Sequence, residues 1–129
     1  MLFYRCMSCG NFVTFLTEKT ACTPTCCGKP MTELVPNTVE ASGEKHLPVV
    51  TVESDDRGMR VSVNVGSVDH PMVEAHLINW IFVETTKGGH RRALKAGEKP
   101  AAVFTMGADE MPVAVYAYCT LHGLRKTAL

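Results

Sequence analysis

Alternation of apolar and polar residues dominates this chain. Met59-Arg60-Val61-Ser62-Val63-Asn64-Val65 puts an apolar side chain at every second position, which is what a strand with one face in a core and one in water requires. Pro112-Val113-Ala114-Val115-Tyr116-Ala117-Tyr118 repeats the pattern. Further strands are predicted over Pro48 to Val52, Ile78 to Thr85, Arg91 to Leu94 and Ala101 to Met106. Between them lie Asp55-Asp56-Arg57-Gly58, Lys87-Gly88-Gly89 and Lys95-Ala96-Gly97, whose glycines permit the positive φ of tight hairpins. No convincing helical stripe interrupts the series. Short strands joined by such turns predict an antiparallel β-sandwich of immunoglobulin-like type. The Cys…Trp…Cys spacing of true immunoglobulin domains is absent, so the likeness is one of architecture.

The first 36 residues differ. Short strands are predicted at Leu2 to Arg5, Phe12 to Leu16 and Met31 to Val35, with cysteine-rich turns between them. Five of the six cysteines precede residue 28, in a segment with too few large apolar residues to build a core unaided. Segments of that size need a metal or disulfides. Pro36-Asn37-Thr38 reads as the linker, so the expected division is a cysteine-rich metal-binding module over 1–36 and the sandwich over 37–129, all-β throughout.

Charge narrows the function by exclusion. Thirteen basic side chains balance thirteen acidic ones, without a basic block or interleaved aromatic stripe, so no nucleic acid partner is expected. Met1-Leu2-Phe3-Tyr4-Arg5-Cys6 lacks the apolar run of a signal peptide, and no stretch reaches the roughly 18 to 20 apolar residues of a membrane span. The expectation is a cytoplasmic protein with no membrane partner. Thiols stay reduced there, and clustered cysteines more often hold metals than pair.

Candidate chemistry lies in His46, His70, His76, Cys119 and His122, spaced by 24, 6, 43 and 3 residues. Such scattered ligands converge only from loops gathered at one end of a rigid scaffold, and His46, His70 and Cys119 each adjoin a predicted strand end. His70 precedes Pro71, which keeps it extended. Taken singly, each has an ordinary reading: Cys119 as a small buried side chain at a strand end, and His90, in Gly88-Gly89-His90, as a hydrogen-bonded surface residue. Residue types alone leave iron, zinc and copper open. In the N-terminal segment, Cys6-x-x-Cys9 joins either Cys26 and Cys27 in a tetrathiolate or Cys22 and Cys26 in a zinc-ribbon set.

Three strings give the set a context: Glu44-Lys45-His46-Leu47-Pro48, Gly66-Ser67-Val68-Asp69-His70-Pro71-Met72 and Cys119-Thr120-Leu121-His122-Gly123, with His76 between the last two. In this order they resemble the superoxide reductase family, and with the N-terminal cysteines the chain resembles its two-domain desulfoferrodoxin form. The resemblance implies a mononuclear iron with His46, His70, His76 and His122 equatorial, Cys119 axial and the sixth position open. It implies one-electron reduction of superoxide to hydrogen peroxide. Lys45 would steer the anion and help deliver a proton, while Glu44 would occupy the sixth position in the ferric state. Cys26-Cys27-Gly28 resembles the vicinal-cysteine knuckle of desulforedoxin, so the second site would be Cys6, Cys9, Cys26 and Cys27 holding iron, with zinc also compatible and Cys22 a spare thiol. A rubredoxin-like electron donor and a homodimer are further implications.

The competing readings are an iron electron-transfer protein without substrate turnover and a structural protein with zinc in its N-terminal module. Thr120 departs from the family's usual asparagine after the axial cysteine, which points to altered hydrogen bonding near the sulfur. Trp80 is expected in the sandwich core, and Met72 as packing beside the iron site.

Overall fold

The computed structural model describes residues 1–41 and 43–129 and divides into two compact units, Met1–Val35 and Pro36–Leu129. The first holds β1 (Phe3–Arg5), β2 (Phe12–Thr14), β3 (Thr25–Cys26), β4 (Lys29–Pro30) and β5 (Thr32–Glu33). Strands β2, β1 and β5 form a small antiparallel sheet in that order, and β3 and β4 a two-residue ladder around the vicinal cysteines. Its core is minimal: Tyr4, Cys6 and Met31 are buried, with Val13, Phe15 and Cys26 packed against them.

The second unit holds α1 (Gly43–His46), β6 (Pro48–Asp55), β7 (Gly58–Val65), β8 (Ile78–Thr85), β9 (Gly88–Ala93), β10 (Ala101–Met106), β11 (Pro112–Cys119) and β12 (Gly123–Ala128). Two antiparallel sheets, ordered β10-β7-β6 and β12-β11-β8-β9, share one core. Val61, Val63 and Val65 from β7 meet Ile81 and Val83 from β8 and Val115, Ala117 and Cys119 from β11, the alternation turned inward as predicted. Trp80 lies on the other face of β8, buried and stacked on Tyr118 at 5.8 Å. It is buried as expected, on the face of β8 opposite Ile81 and Val83, because successive residues of a strand alternate faces.

Two features position the site. Pairing between β8 and β11 slips at its last rung, Trp80 opposite Tyr118 but Ile78 opposite Cys119, so Asn79 bulges out. The slip keeps Cys119 and Ile78 on the core face together. The other is the one-turn α1, closed by Leu47 N–H donating to Gly43 O at 3.0 Å. It is fastened by Gly66 N–H to Leu47 O at 3.0 Å and Ser67 N–H to Glu44 O at 2.8 Å, bonds that no local pattern announces.

Candidate metal centres

Strands β6, β8 and β12 begin, and β7 and β11 end, at the same end of the sandwich, because Pro48 pairs with Val65, Ile78 with Cys119, and Cys119 with Gly123. The connections there carry His46, His70, His76 and His122, and Cys119 closes β11. One ligand atom from each of the five lies within 4.8 Å of all the others. The four rings form a square. Going round it as 46, 70, 76 and 122, neighbouring ring centres are 4.7, 4.6, 5.0 and 4.6 Å apart, with interplanar angles of 83°, 84°, 70° and 85°. The opposite pair, His46 and His76, lies 6.0 Å apart at 23°. Half of that diagonal puts the ring centres of His46 and His76 about 3 Å from its midpoint, which suits ring nitrogens bonded at about 2 Å to a first-row metal.

The individual nitrogens agree. His70 Nδ1 lies 2.6 Å from Pro71 O, so it carries the proton and leaves Nε2 as the free lone pair. Nε2 of His70 and Nε2 of His76 are both buried without a hydrogen-bond partner, a costly state for a protein nitrogen and the ordinary state of one that binds a metal. His122 Nδ1 is 2.9 Å from His46 Nε2 and 3.6 Å from Cys119 Sγ, the spacing of adjacent ligands. Burial pushes His70 down to about 4, reinforced by the neighbouring imidazoles and opposed by the Pro71 carbonyl; burial and His122 also lower His76. Both are therefore neutral at pH 7, the form that ligates. Neutral imidazoles with one thiolate suit ferrous iron.

Glu44 and Lys45 sit on α1 directly before His46, exposed while His46 is buried. Their carbonyls cradle Gly66, where an added Cβ would come within 2.2 Å of Val68 O, 2.8 Å of Lys45 O and 3.0 Å of Glu44 O. Asn64 Nδ2 orders the same loop through Gly66 O and Asp69 Oδ1, at 2.8 and 3.0 Å. Sequence reasoning passed over both residues; Gly66 breaking the alternation right after Val65 was the available signal. The Thr120 hydroxyl engages Leu77 N–H at 3.1 Å. Met72 packs against the core and its sulfur accepts from Ile78 N–H at 3.3 Å. His90 lies toward the opposite end of the sandwich, 2.9 Å from Glu110 Oε1, and is not among the ligands.

In the first unit the sulfurs of Cys6, Cys9, Cys26 and Cys27 also lie within 4.8 Å of one another, while Cys22 is exposed and outside the group. Cys27 and Gly28 both adopt positive φ, 54° and 71°, which turns the vicinal sulfurs to one side. Cys9 N–H points at Cys6 Sγ from 3.5 Å and Asn11 Nδ2 at Cys26 Sγ from 3.7 Å. The Cys9 and Ser8 amides pull Cys6 down to about 6, while the Cys9, Cys6 and Cys26 thiols beside it push Cys27 up to about 12. Four sulfurs so close cannot all ionise without a cation among them. A tetrahedral metal resolves that conflict.

Comparison with known proteins decides the family. Residues 38–128 match the desulfoferrodoxin family model and residues 1–34 that of the desulfoferrodoxin N-terminal domain. The chain belongs to the desulfoferrodoxin family. Among desulfoferrodoxins it is 43% identical over 124 residues to the homolog from Archaeoglobus fulgidus, covering 96% of this chain and 94% of that protein. It is 44% identical over 121 residues to the desulfoferrodoxin of Syntrophotalea carbinolica, covering 94% and 90%. The solved superoxide reductase from Treponema pallidum matches with a TM-score of 0.79 and 30% identity, over 97% of this chain and 98% of that one. Like other desulfoferrodoxins, the chain has places for two metals: the His–Cys pentad for a mononuclear iron and the four-thiolate cluster for the second. Among the described residues no helix is long and apolar enough to cross a membrane.

Proposed function

We propose that this desulfoferrodoxin reduces superoxide to hydrogen peroxide at the sandwich site, taking one electron and two protons per superoxide and releasing no dioxygen. The carrying observation is the pentad itself: a square of imidazoles whose fifth ligand, Cys119, is wholly buried on the core side, while His76 and His122 are only half-buried. When bound, the iron supplies the transferable electron and an electrophilic position for a small anion. Cys119, as a thiolate, would hold the iron and donate electron density to it.

The remaining work falls to the chain. His46, His70, His76 and Cys119 are held by the closed turns and strand ends described above, so the site needs little reorganisation. Lys45, exposed one residue before buried His46, draws superoxide inward by its charge and passes a proton through water. Glu44, on the same exposed turn, serves as the exchangeable carboxylate of the oxidised protein. Residues 1–36 act as a one-electron module and residues 37–129 as the catalytic one, with a rubredoxin-like protein as the external donor and a homodimer as the working form.

The deciding measurement is the product. Stoichiometric peroxide without dioxygen, at the expense of added reductant, supports reduction; catalytic dioxygen release would make the protein a dismutase. Cys119→Ser should abolish superoxide reduction while the N-terminal metal stays bound. A protein that only carries electrons would react with superoxide no faster than the Cys119→Ser variant does.

A further inference from the structure

Thr120 stands where β11 leaves the sheet. The bulge at Asn79 brings Cys119 opposite Ile78, and the next rung joins Thr120 to Leu77. Half of that rung is ordinary: Thr120 N–H donates to Leu77 O at 3.0 Å. The reciprocal bond is not. Leu77 N–H goes to the Thr120 hydroxyl, at 3.1 Å, in place of a strand carbonyl, because the chain turns at Thr120 towards Gly123, whose φ is 70°. The hydroxyl thus completes a ladder that the backbone has abandoned.

The rung's position gives it consequence. Thr120 follows Cys119 and Leu77 follows His76, so one side chain ties the residue after the thiolate to the residue after an imidazole across 43 positions of sequence. The His76 segment is also held by the local bridge between Val73 and His76 and by Ile78 N–H donating to the Met72 sulfur. Leu77 is itself buried and the bond part-buried, so without the hydroxyl its amide would be left short of a partner.

We propose that Thr120 is a positioning residue: its hydroxyl clasps the Leu77 amide so that His76 and Cys119 are presented to the metal as one unit. The inference rests on the metal-site reading and not on the identity of the substrate. The hydroxyl acts through Leu77 and does not touch the sulfur.

Thr120→Val keeps shape but removes the acceptor, and Thr120→Ser keeps the acceptor. In full-length metal-free protein, amide exchange at Leu77 should be slow in wild type and in Thr120→Ser, and roughly tenfold faster in Thr120→Val, as expected for an amide that loses its hydrogen bond. With iron loaded and oxidised, the thiolate-to-iron charge-transfer band should shift in Thr120→Val and return to the wild-type position in Thr120→Ser. Iron release to a chelator should quicken in the valine variant alone. Fast Leu77 exchange in wild type, or a valine variant with wild-type exchange and an unmoved band, overturns the proposal. Should Thr120→Val fail to fold, wild-type Leu77 exchange and the Thr120→Ser spectrum still decide. Exchange in metal-free protein reads the clasp even if the protein turns out not to reduce superoxide.

Discussion

The two metal sites are held in opposite ways. In the sandwich most of the core is not ligand: Val61, Val63, Val65, Ile81, Val83 and Val115 are buried with Cys119 as the one ligand in their cluster, and the other four ligands stand on connections at one end. In the N-terminal unit the ligands are the core, since Cys6 and Cys26 belong to the same small cluster as Tyr4 and Met31. One unit folds and then receives a metal; the other folds around it. The division suits the proposed chemistry, because a site that exchanges small anions benefits from a scaffold that does not depend on its occupancy.

Metal removal breaks that comparison most severely. Stripping the N-terminal site, or Cys26→Ser, should unfold residues 1–35 outright, since structural metal binding at such sites contributes about 10 kcal/mol or more. His76→Ala should release the sandwich metal and leave the unit's melting temperature within a few degrees. Circular dichroism with limited proteolysis separates the two results. A stable, protease-resistant N-terminal unit without metal would sink the contrast.

Gly66→Ala attacks the sandwich site without touching a ligand. A Cβ there meets three carbonyl oxygens, two of them from the turn that carries Glu44 and Lys45, and the φ of 89° disfavours any side chain. The expected cost is several kcal/mol, with α1 displaced and iron lost, since neither the backbone contacts nor the strain can relax cheaply. Metal content of the two sites, measured on one sample, should fall at the sandwich alone.

Protons should distinguish the sites next. His70, lowered to about 4 by burial, keeps its ligating neutral form above that value and loses it as pH falls through it, whereas an unperturbed imidazole would be half-protonated near 6.5. Cys27, raised to about 12 by its neighbouring thiols, holds its proton until a metal displaces it. Loading at pH 7 should therefore release more protons at the tetrathiolate than at the pentad, and in metal-free protein His70 should still be neutral at pH 5.5. A His70 titration centred near pH 6.5, followed by NMR, would contradict the burial argument.

Legibility followed how local the cause was. The strand at Met59 to Val65 and the ligand residues of the strings around His46, His70 and Cys119 could be seen because period-two alternation and residue type are written in adjacent positions. Strand β12 could not: Arg125 falls at a position paired with core-facing Ala117 while buried Leu124 pairs with Tyr118, which hides the alternation. Nor could α1, a single turn held by bonds to Gly66 and Ser67, some twenty residues away. The Thr120 departure was visible, but its partner was not; the expected effect was on the sulfur, and the hydroxyl instead binds Leu77. What stayed hidden in each case is a pairing between distant segments.

The smallest expected effect lies at the end of the sandwich away from the metal, where it tests whether that scaffold is independent of its site. Glu110 accepts from the Thr85 hydroxyl at 2.6 Å and faces His90 Nε2 at 2.9 Å, and these two contacts, Thr85 first, lower its pKa below 4.5. A lowered carboxylate stabilises the fold above its unfolded pKa and loses that contribution as pH falls through the folded one. Wild type should thus melt slightly higher than Glu110→Gln at pH 7, with the gap narrowing below about pH 4.5. Iron content should be the same in both proteins at pH 7. A gap unchanged down to pH 3 would mean that the ionised carboxylate contributes nothing, and a loss of iron in Glu110→Gln would mean that the two ends of the sandwich are coupled after all.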